Sequence, residues 1–97
     1  MKKELYTYIM EFRGGTYITQ VMCDSLDDSL AAWLTQIEKE IKDIKYIGIK
    51  TINQIRKQLI NNDIEKPGLL TGIKNVWYIG ISTNVGYLFI NIVKTAQ

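Results

Sequence analysis

The spacing of apolar residues changes twice along this chain, from a two-residue repeat to a helical one and back, and that alternation restricts the fold more than any other feature. Between Leu5 and Phe12, the residues Tyr6, Tyr8, Met10 and Phe12 share one parity, while Leu5, Thr7, Ile9 and Glu11 share the other. Such alternation, rich in aromatic and β-branched side chains, marks a strand. Thr16 to Cys23 repeats the pattern. The intervening Arg13-Gly14-Gly15 supplies residues that tolerate positive φ, so the first unit reads as a β-hairpin.

After Ser25 the period becomes helical. Leu30, Trp33, Leu34, Ile37, Ile41 and Ile44 fall at i, i+3, i+4, i+7, i+11 and i+14, an apolar stripe that predicts a helix of roughly 18 residues. Asp24 or Ser25 serves as its N-cap, Asp27 and Asp28 complement the dipole in its first turn, and Lys39 and Lys42 lie toward the other end. Lys45 to Lys50 reads equally as a short strand or an extended connection. Thr51-Ile52-Asn53-Gln54 fits a capping box. The stripe Ile52, Ile55 and Leu59 then carries a second helix to about Asn61 or Asn62.

Lys66-Pro67-Gly68 marks a turn in a loop over residues 63–72. Val76 to Ser82 and Gly86 to Lys94 are strands of a second hairpin, with Asn84 and Gly86 available for left-handed conformations. The expected order is β-β-α-(β)-α-β-β. It implies an α+β fold in which an antiparallel sheet of about four strands carries two helices on one face, as a single domain over residues 1–97. An apolar content of 46% against 23% charged residues is the ordinary globular balance.

Histidine is absent, which removes the commonest general base, the commonest metal ligand and every Ser-His or Cys-His nucleophile arrangement. Cys23 is the single cysteine, so no disulfide can close within the chain. Its place before a helix start lowers a thiol pKa in principle, but no base accompanies it, and packing at a strand end accounts for it better. The cluster Asp24, Asp27 and Asp28 suits helix capping better than a divalent cation. No phosphate-binding glycine motif occurs. These absences point to a non-enzymatic protein with no cofactor, no catalytic residue and no metal ligand set.

Lys2 and Lys3 precede only a few apolar residues before Glu4, Glu11 and Arg13 interrupt them, so neither a signal peptide nor a membrane span is expected and the chain reads as cytoplasmic. Residues 1–49 hold six basic and eight acidic groups, a net −2, and residues 50–97 hold six basic and two acidic, a net +4. The second half is mildly basic. An abundance of Ile, Lys and Asn with few Ala fits a bacterial or phage source.

Aromatic residues crowd the predicted strands, and in Tyr87 to Val93 both parities are largely apolar. A sheet with helices on one face leaves the other open, so such a strand hides more than two helices can cover. The expectation is a protein-interaction domain, homodimeric and able to bind an unidentified partner protein, with an interface at Trp77, Tyr78, Tyr87 and Phe89. The alternative is a binder of single-stranded nucleic acid, in which strand aromatics stack bases while Arg56, Lys74 and Lys94 contact phosphates.

Residues 5–34 resemble the start of small bacterial antitoxins of the HicB-like type. The likeness lies in a Tyr-rich strand, a Gly-Gly turn, a second strand, and then Asp-Ser-Leu-Asp-Asp-Ser-Leu-Ala-Ala-Trp opening a helix. It covers about a third of the chain, without the Pro-Gly-Cys-like segment before the helix and without a separate DNA-binding segment after the second hairpin. The resemblance implies an antitoxin- or immunity-like role of occluding another protein, and no functional residue is carried over from it.

Overall fold

Arg13 and Gly14 both take positive φ, 48° and 83°, as the two central residues of a type I′ reversal must. They join β1 (Glu4–Phe12) to β2 (Gly15–Cys23) in unbroken antiparallel register from Glu4↔Cys23 to Phe12↔Gly15. The computed structural model of the chain describes residues 3–61, 68–69 and 75–95; the predicted turn at Lys66 and Pro67 lies outside them. Two helices follow, α1 (Leu26–Lys39) and α2 (Ile49–Ile60), and then β3 (Gly68–Leu69), β4 (Val76–Thr83) and β5 (Gly86–Thr95). The sheet is antiparallel throughout, with strand order β2-β1-β5-β4-β3.

The expected α+β architecture is therefore present, with four long strands and a two-residue edge strand. The two hairpins meet through β1 and β5, where Tyr8 pairs with Ile92 and Met10 with Ile90. Both helices cover the same face. Tyr6, Tyr8, Met10 and Phe12 of β1, Ile79 and Ile81 of β4, and Leu88, Ile90 and Ile92 of β5 are buried there against Trp33, Leu34, Ile37, Ile52 and Ile55. Trp33 stacks on Tyr8 with ring centroids 5.4 Å apart. The Tyr8 hydroxyl lies 2.6 Å from Ser29 Oγ, which itself donates to the Leu26 carbonyl.

Two local expectations are corrected, the first and third below, and one open reading is decided. First, α1 begins where expected, with Ser25 as N-cap accepting from Asp28 N–H, but it ends at Lys39. A 3₁₀ turn over Ile41–Asp43 then carries the apolar stripe to buried Ile44.

Second, residues 45–50 form no strand. Tyr46 takes φ 70°, a left-handed conformation that breaks an extended run, and Ile47 turns into the core while Gly48 caps α2.

Third, α2 starts at Ile49, so Thr51 and Gln54 do not form a capping box. Thr51 Oγ1 instead donates to Asn84 Oδ1 at 2.9 Å, and Gln54 Oε1 accepts from Asn84 N–H at 2.8 Å. Those two polar side chains fasten the β4–β5 turn to the helix. Gly86, at φ 139°, supplies the positive φ of that turn, and Asn84 does not.

Among the described residues no helix is long and apolar enough to cross a membrane.

Candidate functional site

Because side chains alternate across a pleated strand, the parity opposite the buried one forms a second face, on which none of the described helices packs. The register fixes its layout. One row across the sheet runs Ile18, Ile9, Asn91, Tyr78 and Gly68; on one side of it lies the row Gln20, Thr7, Val93 and Val76, and on the other the row Thr16, Glu11, Phe89 and Gly80. Tyr87 stands opposite Ser82, and Leu5 sits between Met22 and Thr95.

Large apolar side chains on this face meet solvent. Ile18 is 65% exposed, Phe89 61%, Tyr78 56%, Tyr87 48% and Met22 46%. Glu11 is the one charged side chain among the described strand residues on the face, and it enters no ion pair among the described residues. A four-strand face about eight residues long measures roughly 19 Å by 26 Å, on the order of 500 Å². Thr7, Thr16, Gln20, Asn91 and Ser82 share that face, so its apolar part is smaller, on the scale of the largest patch of an ordinary monomer, roughly 300–600 Å² and often functional.

The aromatic rings lie down on the sheet rather than standing away from it. A Cβ built on Gly80 would fall 1.8 Å from the Tyr87 hydroxyl, and one on Gly68 would fall 3.1 Å from the Tyr78 ring. Each ring therefore fills the space its glycine leaves empty, a cross-strand device that covers bare backbone. Phe89 meets Tyr87 edge-on, with centroids 4.8 Å apart and planes at 65°, a favourable quadrupolar arrangement. Beside this pair, toward the β1–β2 reversal, Glu11, Arg13, Gly14, Thr16, Tyr87 and Phe89 are among the residues around an open cavity of about 400 Å³.

Of the four residues expected at the interface, Tyr78, Tyr87 and Phe89 share this open face. Trp77 does not. It pairs with Ile92, shares the parity of Ile79 and Ile81, and packs half-buried against the core with its ring 6.5 Å from that of Tyr6.

The cations expected to flank the aromatics are also elsewhere. Arg56, on α2, pairs with Glu38 of α1 at 2.5 Å, and Lys94 points to the helix side at the end of β5, 3.9 Å from Glu4. Lys74 lies outside the described residues. Arg13 reaches out from the β1–β2 reversal, its guanidinium 4.0 Å over the Tyr46 ring and donating to the Val85 carbonyl in the β4–β5 turn.

The chain matches no family model, no curated protein and no solved structure. Its chemistry is therefore read from its own side chains. Among the described residues no three His, Cys, Asp or Glu side chains come together as a metal site would require. Burial, with the nearby Asp28 and Asp24 carboxylates, pushes the half-buried Cys23 thiol above its ordinary pKa, outweighing the opposing influence of Lys3; this is the reverse of what a nucleophile needs. The exposed Ile18 and Met22 of β2 were the part of the surface that sequence reasoning missed. Their parity in Thr16 to Cys23 was the available signal, because Tyr17, Thr19, Val21 and Cys23 take the helix side.

Proposed function

We propose that this chain is a protein-interaction domain that self-associates by packing the open face of its sheet against the same face of a second copy. The observation that carries the reading is the composition of that face: five exposed large apolar side chains with Glu11 as the sole charge among the described strand residues. Sheets pack face to face about 10 Å apart through side chains of this kind. A face laid on itself brings just one pair of like charges together. Two such faces bury about 1,000 Å² together, below a standard interface and at the lower bound for a specific one, which fits a weak, concentration-dependent dimer. Stacking of unpaired bases on the same rings lacks support, since Arg56 and Lys94 lie on the helix side, in ion pairs.

Such a module acts by contact, and an antitoxin- or immunity-like role of occluding another protein is a setting in which it serves. Light scattering on the purified protein tests the reading. The expected result is twice the monomer mass for the native chain and the monomer mass for Phe89→Asp. Thermal unfolding of the variant, measured below the concentration of association, should stay cooperative with a loss of about 1–2 kcal/mol, since the change removes the ring contact with Tyr87 and sets a carboxylate opposite Glu11. A native chain that stays monomeric at high concentration rejects the proposal.

A further inference from the structure

In the order β2-β1-β5-β4-β3, one side of the sheet ends at β3, two residues long, and the other at β2, nine residues long. A two-residue reversal makes its closing pair, Phe12 and Gly15, a hydrogen-bonded pair. Gly15, Tyr17, Thr19 and Val21 therefore direct their backbone groups to β1. The backbone N–H and C=O groups of Thr16, Ile18 and Gln20 consequently point outward, and no described strand pairs with them.

Exposed edges are usually blunted by a charge, a proline or a bulge. From Gly14 to Cys23 there is no charged residue and no proline, and nine consecutive pairs with β1 leave no room for a bulge.

We infer that the outer edge of β2 is a docking site for one extended strand of a partner protein, added to the sheet through the backbone of Thr16, Ile18 and Gln20. The position of α1 decides between a lone strand and the β2 edge of a second copy. α1 packs chiefly over β2, far more than over β1. Two β2 strands paired across a dyad would lie about 4.8 Å apart and would carry their overlying helices at a similar spacing. Packed helices need about 8–10 Å between axes. A segment without its own helix meets no such obstacle, and main-chain pairing of this kind gives affinity while alternate side chains give specificity. On the open side the added strand runs beside exposed Ile18, which favours a β-branched or aromatic residue there.

Amide hydrogen exchange by NMR tests this, using as probe a synthetic peptide with the sequence of residues 16–22, acetylated, amidated and flanked by lysines for solubility. The peptide should slow exchange of the Thr16, Ile18 and Gln20 amides by about tenfold or more, leaving Tyr17, Thr19 and Val21 as protected as before. Gln20→Pro should abolish the effect while leaving the light-scattering mass unchanged, because proline is tolerated on an edge whose N–H faces outward. Phe89→Asp should lose the dimer and keep the peptide effect, so failure of one surface is distinguishable from failure of the other. If Gln20→Pro does not fold, Thr16→Pro blocks the same edge at its other end and should also remove the peptide effect. Unchanged exchange at saturating peptide overturns the inference, as does protection that the blocking variant leaves intact. Protection of these amides that rises with the concentration of the Phe89→Asp variant in the absence of peptide overturns it too, since the occupant of the edge is then a second copy.

Discussion

The Tyr87 ring lies across Gly80, its hydroxyl occupying the position where a Cβ on residue 80 would stand. Gly80→Ala therefore has two opposed effects. Alanine recovers about 0.5–1 kcal/mol of the backbone entropy that glycine costs in a strand. The displaced ring loses its edge-on contact with Phe89, a pair worth about 0.5–1.5 kcal/mol. The two nearly cancel, so denaturant unfolding should show a change within about 1 kcal/mol. The Phe89 ring protons should nonetheless shift clearly in the NMR spectrum, and self-association should weaken. Unaltered Phe89 resonances would mean that the ring does not rest on Gly80 in solution.

Ser29 Oγ gives its single proton to the Leu26 carbonyl, so the Tyr8 hydroxyl, 2.6 Å away, must donate to Ser29. The two deletions are therefore unequal. Tyr8→Phe removes a donor whose acceptor keeps its other bond, and should cost about 1 kcal/mol. Ser29→Ala strands a fully buried phenol hydroxyl without a partner, and should cost about 1–3 kcal/mol. Equal losses in urea unfolding, or a larger loss for Tyr8→Phe, would contradict this hydrogen-bond direction.

Burial raises the Tyr8 pKa, an effect that the hydrogen bond with Ser29 offsets in part. Below about pH 10, the ordinary tyrosine value, folded and unfolded chains both keep the proton and Tyr8 gives no pH dependence. Above it the unfolded chain ionises first while the folded one stays neutral. Stability then falls with rising pH, at a slope approaching about 1.4 kcal/mol per unit for this group. Tyr6, raised by its own burial and by Glu4, adds in the same direction. Unfolding free energies measured from pH 8 to pH 11 should decline for the native chain and less steeply for Tyr8→Phe. Identical slopes would place Tyr8 in contact with solvent.

Much of this arrangement was legible from the sequence because alternation in β1 and the stripe in α1 each have one clear apolar side. Tyr6, Tyr8, Met10 and Phe12 read as one face, and they are buried together. At Val76-Trp77-Tyr78 both parities are apolar, so composition cannot choose a face. Pairing of Trp77 with Ile92 makes the choice, and it depends on a register set elsewhere in the chain. The β1–β5 pairing that joins the two hairpins, and leaves β2 as an edge, is likewise non-local and has no local signature. Thr51 and Gln54 have the spacing of a capping box, yet the turn at Asn84 offers them better partners than each other's backbone.

That turn carries the last prediction. Asn84 is gripped twice, by Thr51 through its side-chain oxygen and by Gln54 through its backbone N–H, so side-chain deletions at the three positions should combine differently. Thr51→Val keeps shape in a buried site and frees an exposed amide oxygen to meet water, at about 1 kcal/mol. Asn84→Ala leaves the buried Thr51 hydroxyl without its acceptor, at about 1–3 kcal/mol. Because both remove the same bond, the double variant should cost less than the sum of the two by at least about 0.5 kcal/mol. Gln54→Met breaks a bond to the backbone that Asn84→Ala leaves intact, so those two should add. Urea unfolding of the singles and doubles makes the comparison. Additive costs for Thr51→Val with Asn84→Ala would mean that the helix holds the turn through Gln54 alone.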